Sequence, residues 1–422
     1  MRLTFCVIRL TATHNPNAWW DQFPPQLKLI TKARLWASIG AGGVLYLTPL
    51  VFNELGFNPL EIGNGLAFAA FAGTISRFIT GIFLDRGINC STPIKLAAIS
   101  VVIADLFLFF AEDYNSYLQG QILLGTAAGL YWPSVEISVP ISCRNYSSKK
   151  GFALVRSADA LGVTLGISLG TLASYFNFIR CIYLLDIACM IVLLNLLRNF
   201  TFAQVVKKSR VKKNIKEIAI ILKTIIKENS IWIKKIIPIL MISLFSTCVL
   251  SLLQSGLPLD LVKGGINRPP LNETISGFII TIQLFLLLLF QWPIGKWLSN
   301  KSTQTGLRIS LLCLGFGCLT LCISSIWRYG LSLTILSLLS IAIGLTSFLP
   351  TATDAVIKLV PVSRQGIAIA MYSQCFGISA LIAPFIVGQF FEVFGNGFFL
   401  WFFMTIISLL IFPLVNKLNP DI

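Results

Sequence analysis

The stretch Gly81-Ile82-Phe83-Leu84-Asp85-Arg86 ends one long apolar run, and Gly295-Lys296-Trp297-Leu298-Ser299-Asn300 ends another. Each begins with Gly and finishes on a polar pair. The two copies stand 214 residues apart in a chain of 422. An offset of 214 or 215 also relates Gly63 to Gly277, Gly129 to Gly344, Gly151 to Gly366 and Gly162 to Gly377. Glycines that share one offset in matching runs read as one unit written twice. Glycine in such a run marks a place where helices approach closely.

Composition tells what the unit is made of. Apolar residues form 55% of the chain and charged residues 12%, about half the charge of an ordinary soluble domain. Apolar runs of about 20 residues recur from end to end, the length a helix needs to cross ~30 Å of hydrocarbon. Lipid offers no partner to a backbone amide, so the spans must be helices. Strict two-residue alternation is absent, which argues against a β-barrel. The expected fold is an all-α membrane protein, with twelve transmembrane helices as two pseudo-symmetric six-helix bundles.

The first six spans fall near 33–52, 61–84, 93–111, 117–141, 151–175 and 179–199. The second six fall near 235–261, 274–298, 305–326, 330–357, 364–390 and 397–416. Residues 1–32 read as a cytoplasmic N-terminal extension, polar over 11–26 and without the cleavage site of a signal peptide. The bundles occupy 33–199 and 235–416, joined by a basic cytoplasmic linker at 200–234 and followed by a tail at 417–422. Two six-helix halves joined by a long loop are a transporter layout, with the solute held at the midplane between halves that rock.

Lys and Arg fix the orientation. With the N-terminus in the cytoplasm, 27 of them lie on the inner side and 4 on the outer, the bias expected of a multi-pass protein. Both termini are then cytoplasmic, in the plasma (inner) membrane. The net charge of +16 is therefore a topology signal spread over many loops, which removes a nucleic-acid partner. In the linker, Ile215, Ile218, Leu222 and Ile225 share one helical face, and Lys216, Lys223, Lys227 and Lys234 share another. This predicts an amphipathic helix on the inner membrane surface, with residues 207–234 against anionic headgroups. A solvated linker is the plainer alternative.

The only histidine, His14, lies outside the spans, and the ten cysteines show no paired metal spacing. No nucleophile–base pair, phosphate loop, metal cluster or cofactor motif is present, so an enzyme is not expected.

Charges inside spans are costly unless paired, which makes them functional suspects. Glu136 and Arg156 each lie six residues into spans four and five from the joining loop, about 9 Å deep. Asp159 is one turn deeper than Arg156 on the same face, and Arg77 enters span two to a similar depth. Glu136–Arg156 is expected as a pair, with Asp159 and Arg77 nearby. It serves either as a fixed brace between spans or as a proton- or substrate-linked network. Asp354 and Lys358 form an i, i+4 pair that snorkelling explains. Span seven is polar through Ser243, Ser246, Thr247, Ser251, Gln254 and Ser255. Ser251, Gln254 and Asp354 join the candidates for the solute or ion path. Asp105 and Asp186, in the outer halves of spans three and six, receive no role.

With these features the chain resembles the major facilitator superfamily over nearly its whole length. The family's loop between spans two and three reads Gly-x-Leu-x-Asp-Arg-x-Gly-Arg-Arg or similar. Gly81, Asp85 and Arg86 match, Phe83 replaces Leu, and Ile88, Asn89 and Cys90 depart from the rest. The second copy keeps Gly295 and replaces the charged pair with Ser299 and Asn300. The resemblance implies that Gly81, Asp85, Arg86 and Gly295 belong to a cytoplasmic gate. Asp85 would meet the N-terminus of span eleven, near Gly366, when the inner side is closed. It also implies a cavity lined by spans one, four, seven and ten. Span one supplies only Ser38, Tyr46 and Thr48, without the acid of many sugar symporters. Gly162, Gly166 and Gly170 partly match the antiporter branch, though helix packing explains them equally well. The function expected is secondary active transport of a small organic solute by alternating access in a monomer, with proton coupling and efflux as the sharper form. A passive facilitator and a non-transporting sensor or scaffold of the same fold are the rivals.

Overall fold

The computed structural model describes residues 16–57, 59–176, 178–200 and 215–418, with the backbone alone along 215–231. A short helix α1 (Pro16–Asp21) precedes twelve longer ones. The first half holds α2 (Pro25–Glu54), α3 (Pro59–Asp85), α4 (Ser91–Phe109), α5 (Tyr114–Cys143), α6 (Ser148–Tyr175) and α7 (Cys181–Leu197). The second holds α8 (Ile215–Lys263), α9 (Glu273–Leu298), α10 (Thr303–Ile326), α11 (Leu331–Leu359), α12 (Gln365–Phe394) and α13 (Phe398–Ile411). Among the described residues, ten stretches are long and apolar enough to cross a membrane, and α7 is a shorter apolar helix of 17 residues. Short polar loops carry their own start signals. Asp113, Asn272 and Ser302 accept the backbone N–H three residues on and cap α5, α9 and α10, which satisfies an otherwise orphaned donor.

The pairing of helices repeats between halves. In the first, α2 packs on α6, α3 on α5, α4 on α5 and α4 on α7; in the second, α8 packs on α12, α9 on α11, α10 on α11 and α10 on α13. The halves meet along two seams, α3 with α12 and α6 with α9. A twofold rotation exchanges one seam for the other. The fold is therefore the two-bundle architecture that the sequence repeat implies.

Glycines make the close packing possible. A Cβ on Gly42 would lie 2.6 Å from the Val163 carbonyl oxygen, and one on Gly162 would lie 2.7 Å from the Leu35 carbonyl oxygen. Gly166 fits against the Ile39 backbone in the same way. Gly162, Gly166 and Gly170 thus serve the α2–α6 contact, where small residues let backbones touch.

Two boundaries differ from the hydropathy reading. The helix that contains the first expected span extends beyond it on the N-terminal side. Helix α2 starts at Pro25, and Phe23, Leu27 and Ile30 are buried. These residues form an apolar stripe at helical spacing, while Lys32 faces outward; the lysines on the opposite face hid the stripe from a window average. In the linker, 215–231 is not a separate surface helix but the first turns of α8, continuous through Lys263. The basic residues 207–214 and the side chains of 215–231 lie outside the described residues.

Replacing Gly42 with Leu forces α2 from α6. The expected cost is about 1–3 kcal/mol, read as a lowered unfolding midpoint of the purified protein in detergent. An unchanged midpoint contradicts the packing described.

Candidate functional site

The two seams are tightest at the end of the bundle where α3 ends and α12 begins, here termed the near end. Gly81 and Gly366 face each other backbone to backbone; a Cβ on Gly81 would lie 2.8 Å from the Gly366 carbonyl oxygen. One turn beyond Gly81, Asp85 reaches across. Its Oδ1 accepts the Gly366 N–H at 2.7 Å and its Oδ2 the Ile367 N–H at 3.1 Å. A carboxylate from one half thus caps a helix of the other, where the helix dipole favours negative charge. Arg86 is exposed beside it.

The second seam is closed differently. Gly295 of α9 packs against Ala153 of α6, but Ser299 and Asn300 offer no carboxylate to the start of α6. Asp354 of α11 supplies one instead, accepting a hydrogen bond from the Ser148 hydroxyl at the first residue of α6. Its other oxygen lies 2.9 Å from Lys358 Nζ. Snorkelling describes Lys358, whose side chain is 45% exposed, but not Asp354, at 2%. The i, i+4 pair is present as expected, and the further partner, Ser148, lies 206 residues away in the chain. Lys149 adds a bond from its Nζ to the Lys301 carbonyl oxygen at 2.8 Å. Below both seams, Phe23 and Trp19 stack edge-on against Trp292 of α9, so the segment before α2 also bridges the halves.

Deeper in the first half lies a four-membered charge cluster. Arg156 Nη2 donates to Glu136 Oε1 at 2.6 Å and its Nη1 stands 3.7 Å from Asp159 Oδ2. Asp159 is also gripped by Arg34, from Nε at 2.9 Å and Nη2 at 2.8 Å, and by the Ser38 hydroxyl at 2.5 Å. The Arg34 guanidinium lies 4.0 Å above the Trp132 ring. Two cations and two anions from α2, α5 and α6 sum to zero. Arg34 was overlooked because it stands at the edge of the apolar run. Its i, i+4 relation to Ser38 was the available signal.

Arg77 does not join this cluster. It faces the α3–α12 seam, where Gly377 of α12 would bring a Cβ within 2.9 Å of its Nη1. Depth along the chain was legible, but the direction of the side chain around α3 was not. Asp105 of α4 and Asp186 of α7 do come together, both buried, with Asp186 packed on Gly40 of α2. The two carboxyls face each other with no cation in ion-pair range among the described residues, an arrangement in which like charges repel.

The polar face of α8 divides. Thr247 bonds to Ser379 Oγ at 2.8 Å inside the second half. Gln254 Nε2 donates to Tyr46 Oη of α2 at 2.6 Å, joining the halves away from the near end. Ser251 is half-buried one turn before Gln254 and accepts from Ser255 through its carbonyl.

A twofold pair of helical bundles meeting at two seams, fastened at one end by hydrogen bonds between the halves, defines a two-bundle helical membrane protein. The sequence profile of the Major Facilitator Superfamily matches residues 33–265, and the chain belongs to that family. It is a transporter of this superfamily, not an enzyme. The fold is similar to that of the human organic anion transporter MFSD10 (TETRAN), with a TM-score of 0.72, 14% identity, 93% of this chain and 100% of the other covered. It is similar to the E. coli fucose:proton symporter FucP, with a TM-score of 0.73, 11% identity and 93% and 98% covered. A POT family transporter solved with a thioalcohol-conjugated peptide gives a TM-score of 0.68, 15% identity and 94% and 99% covered. At these identities the likeness is one of fold. No curated protein matches in sequence.

Arg34→Ala is expected to cost about 3–5 kcal/mol, because it leaves Asp159 with one distant cation in a buried site. Asp105→Asn keeps the shape of the second pair and removes a buried acid, so its unfolding midpoint should equal or exceed that of the parent. Thermal unfolding of both variants, side by side, checks the two assignments. Asp85→Ala removes the cap on α12, worth about 1 kcal/mol, a roughly fivefold shift away from the closed near end. A cysteine placed at Ile367 should then react several times faster with a soluble thiol reagent.

Proposed function

We propose that this protein is a secondary transporter that carries a small organic solute by alternating access, the two bundles rocking about the seams. The observation that carries the reading is the near-end fastening. Asp85 on α12 and Asp354 on Ser148 are hydrogen bonds between halves, each made by one or two atoms. Such contacts break and reform at the cost of about a kcal/mol each when water replaces the partner, whereas the apolar contacts inside each half do not. The near end is assigned to the cytoplasm, with both termini inside the plasma (inner) membrane and the protein working as a monomer. The basis is the bias of Lys and Arg toward loops at this end. Basic residues of the 207–234 segment are assigned to anionic headgroups.

Proton coupling through Glu136 and Asp159, and outward direction, belong to the same proposal in its sharper form. Each carboxylate is held by arginine, so protonating either strands a buried cation. Coupling by this route therefore requires the arginine pairs to part during the cycle. Vesicle transport with and without a pH gradient, in the parent and in Glu136→Gln and Asp159→Asn, tests it. Rates indifferent to the gradient, and unchanged in both variants, remove proton coupling and leave a passive facilitator.

The rival is a sensor or scaffold locked in one arrangement. A cysteine at Ser251, in a background lacking the native cysteines, separates the two. Its reaction with impermeant thiol reagents should proceed from both sides of the membrane in the free protein. It should proceed from one side only when Ser148→Cys and Asp354→Cys are cross-linked. Equal reactivity with and without the cross-link contradicts alternating access.

A further inference from the structure

Four arginines are buried among the described residues: Arg34, Arg77, Arg156 and Arg268. Three hold a carboxylate, Arg34 and Arg156 as above and Arg268 at 3.0 Å from Asp260. Arg77 does not. It is 9% exposed, and its Nε and Nη1 have no hydrogen-bond partner among the described residues. No described carboxylate lies in ion-pair range of it. A guanidinium cannot shed its proton, so it cannot escape the cost by becoming neutral. An uncompensated charge in a buried site is expensive.

The guanidinium of Arg77 lies in the α3–α12 seam. Gly73, one turn earlier on α3, and Gly377, across the seam on α12, pack directly against it. A Cβ on them would lie 3.5 Å and 2.9 Å from Nη1. Thr74 and Gln374 join across the same seam, Gln374 Nε2 donating to Thr74 Oγ1 at 2.7 Å. The amide oxygen of Gln374 is buried without a partner. An amide can rotate to exchange oxygen and nitrogen, which offers Thr74 an acceptor and leaves an N–H where the unpartnered oxygen now lies. A fixed cation from one half and an adaptable amide from the other thus meet at the same seam. The charge cluster of Arg34, Glu136, Arg156 and Asp159 is neutral, so it does not offset Arg77.

We propose that Arg77 anchors an anion site in the α3–α12 seam and that the solute carried is a small organic anion, a carboxylate or related oxyanion. A planar guanidinium suits such groups in geometry as well as charge. The inference rests on the transport reading for its consequence, because a ligand touched by both halves is sensitive to their rocking. The site itself does not depend on that reading.

The test is thermal unfolding of the full-length purified protein with benzoate, benzenesulfonate and succinate, against benzamide and benzylamine. At about ten times its dissociation constant, a bound anion should raise the midpoint by roughly 2 °C. The shift should persist, reduced, in Arg77→Lys and vanish in Arg77→Gln. Without ligand, Arg77→Met should be at least as stable as the parent, since it removes an unpaired charge and keeps the length. The inference is overturned if no anion shifts the parent, if benzamide or benzylamine does so equally, or if Arg77→Gln keeps the shift. A marked loss of stability in Arg77→Met also overturns it, by revealing a hidden partner. Repeating the series in bilayers with and without phosphatidylglycerol distinguishes a lipid headgroup. An Arg77-dependent shift with that lipid, and none with benzoate, overturns the solute assignment. The Ser251 labelling experiment reads the rocking independently, so failure of the anion site and failure of alternating access give different results.

Discussion

A charge in hydrocarbon finds no partner except another side chain, and this constraint arranges most of what is specific in the protein. Each buried ion must be answered locally, since desolvation is not repaid by distant charges. The answers differ. Arg34, Asp159, Arg156 and Glu136 answer one another and tie α2, α5 and α6 together. Asp260 is held by Arg268 and by the Trp401 indole N–H at 3.2 Å, which joins the far ends of α8 and α13. Asp105 and Asp186 face each other without a cation. These three sets lie within halves, where contacts persist while the halves move. Of the ions that face the seams, Asp85 is answered across the interface, Asp354 both across it by Ser148 and within α11 by Lys358, and Arg77 by no described carboxylate.

Close backbone approach is the condition for the cross-half bonds. Asp85 is a short side chain, and it reaches two amides of α12 only because Gly81 and Gly366 let the helices meet one turn away. Glycine and carboxylate therefore act as one device. The glycines set the distance and the acid gains a helix terminus whose donors were otherwise unmet. The same acid at a seam spaced by larger residues would reach only water.

The helical class, the twofold repeat and the facilitator family were legible in the chain. The apolar runs, the offset of glycines and the motif around Asp85 depend on sequence alone. The pair Glu136–Arg156 was legible because one short loop joins its helices and both residues sit at equal depth. Arg34 was missed where a run of hydropathy begins, and α2 was begun too late for the same reason: lysines on one face of an amphipathic turn cancel the apolar stripe on the other. Depth was readable for Arg77, yet its direction was not, because the residue it packs against across the seam, Gly377, stands 300 residues away. The second partner of Asp354 was hidden for a similar cause. Its neighbour Lys358 explained it locally, and nothing local pointed to Ser148. Contacts within one hairpin leave a signature in spacing, whereas contacts between halves do not.

The repeat is imperfect where it matters for motion. On one seam the carboxylate comes from the end of α3 and takes two backbone donors. On the other, the equivalent helix α9 ends in Ser299 and Asn300, and the carboxylate comes from α11 and takes a hydroxyl. Symmetric architecture thus carries asymmetric fastenings. A bidentate carboxylate on a helix N-terminus gains from the dipole as well as from hydrogen bonds, while the Ser148 hydroxyl is a single neutral donor. The α6–α9 seam is therefore the one with the weaker carboxylate fastening, and the α3–α12 seam, with Arg77 in it, is the one held by the bidentate cap.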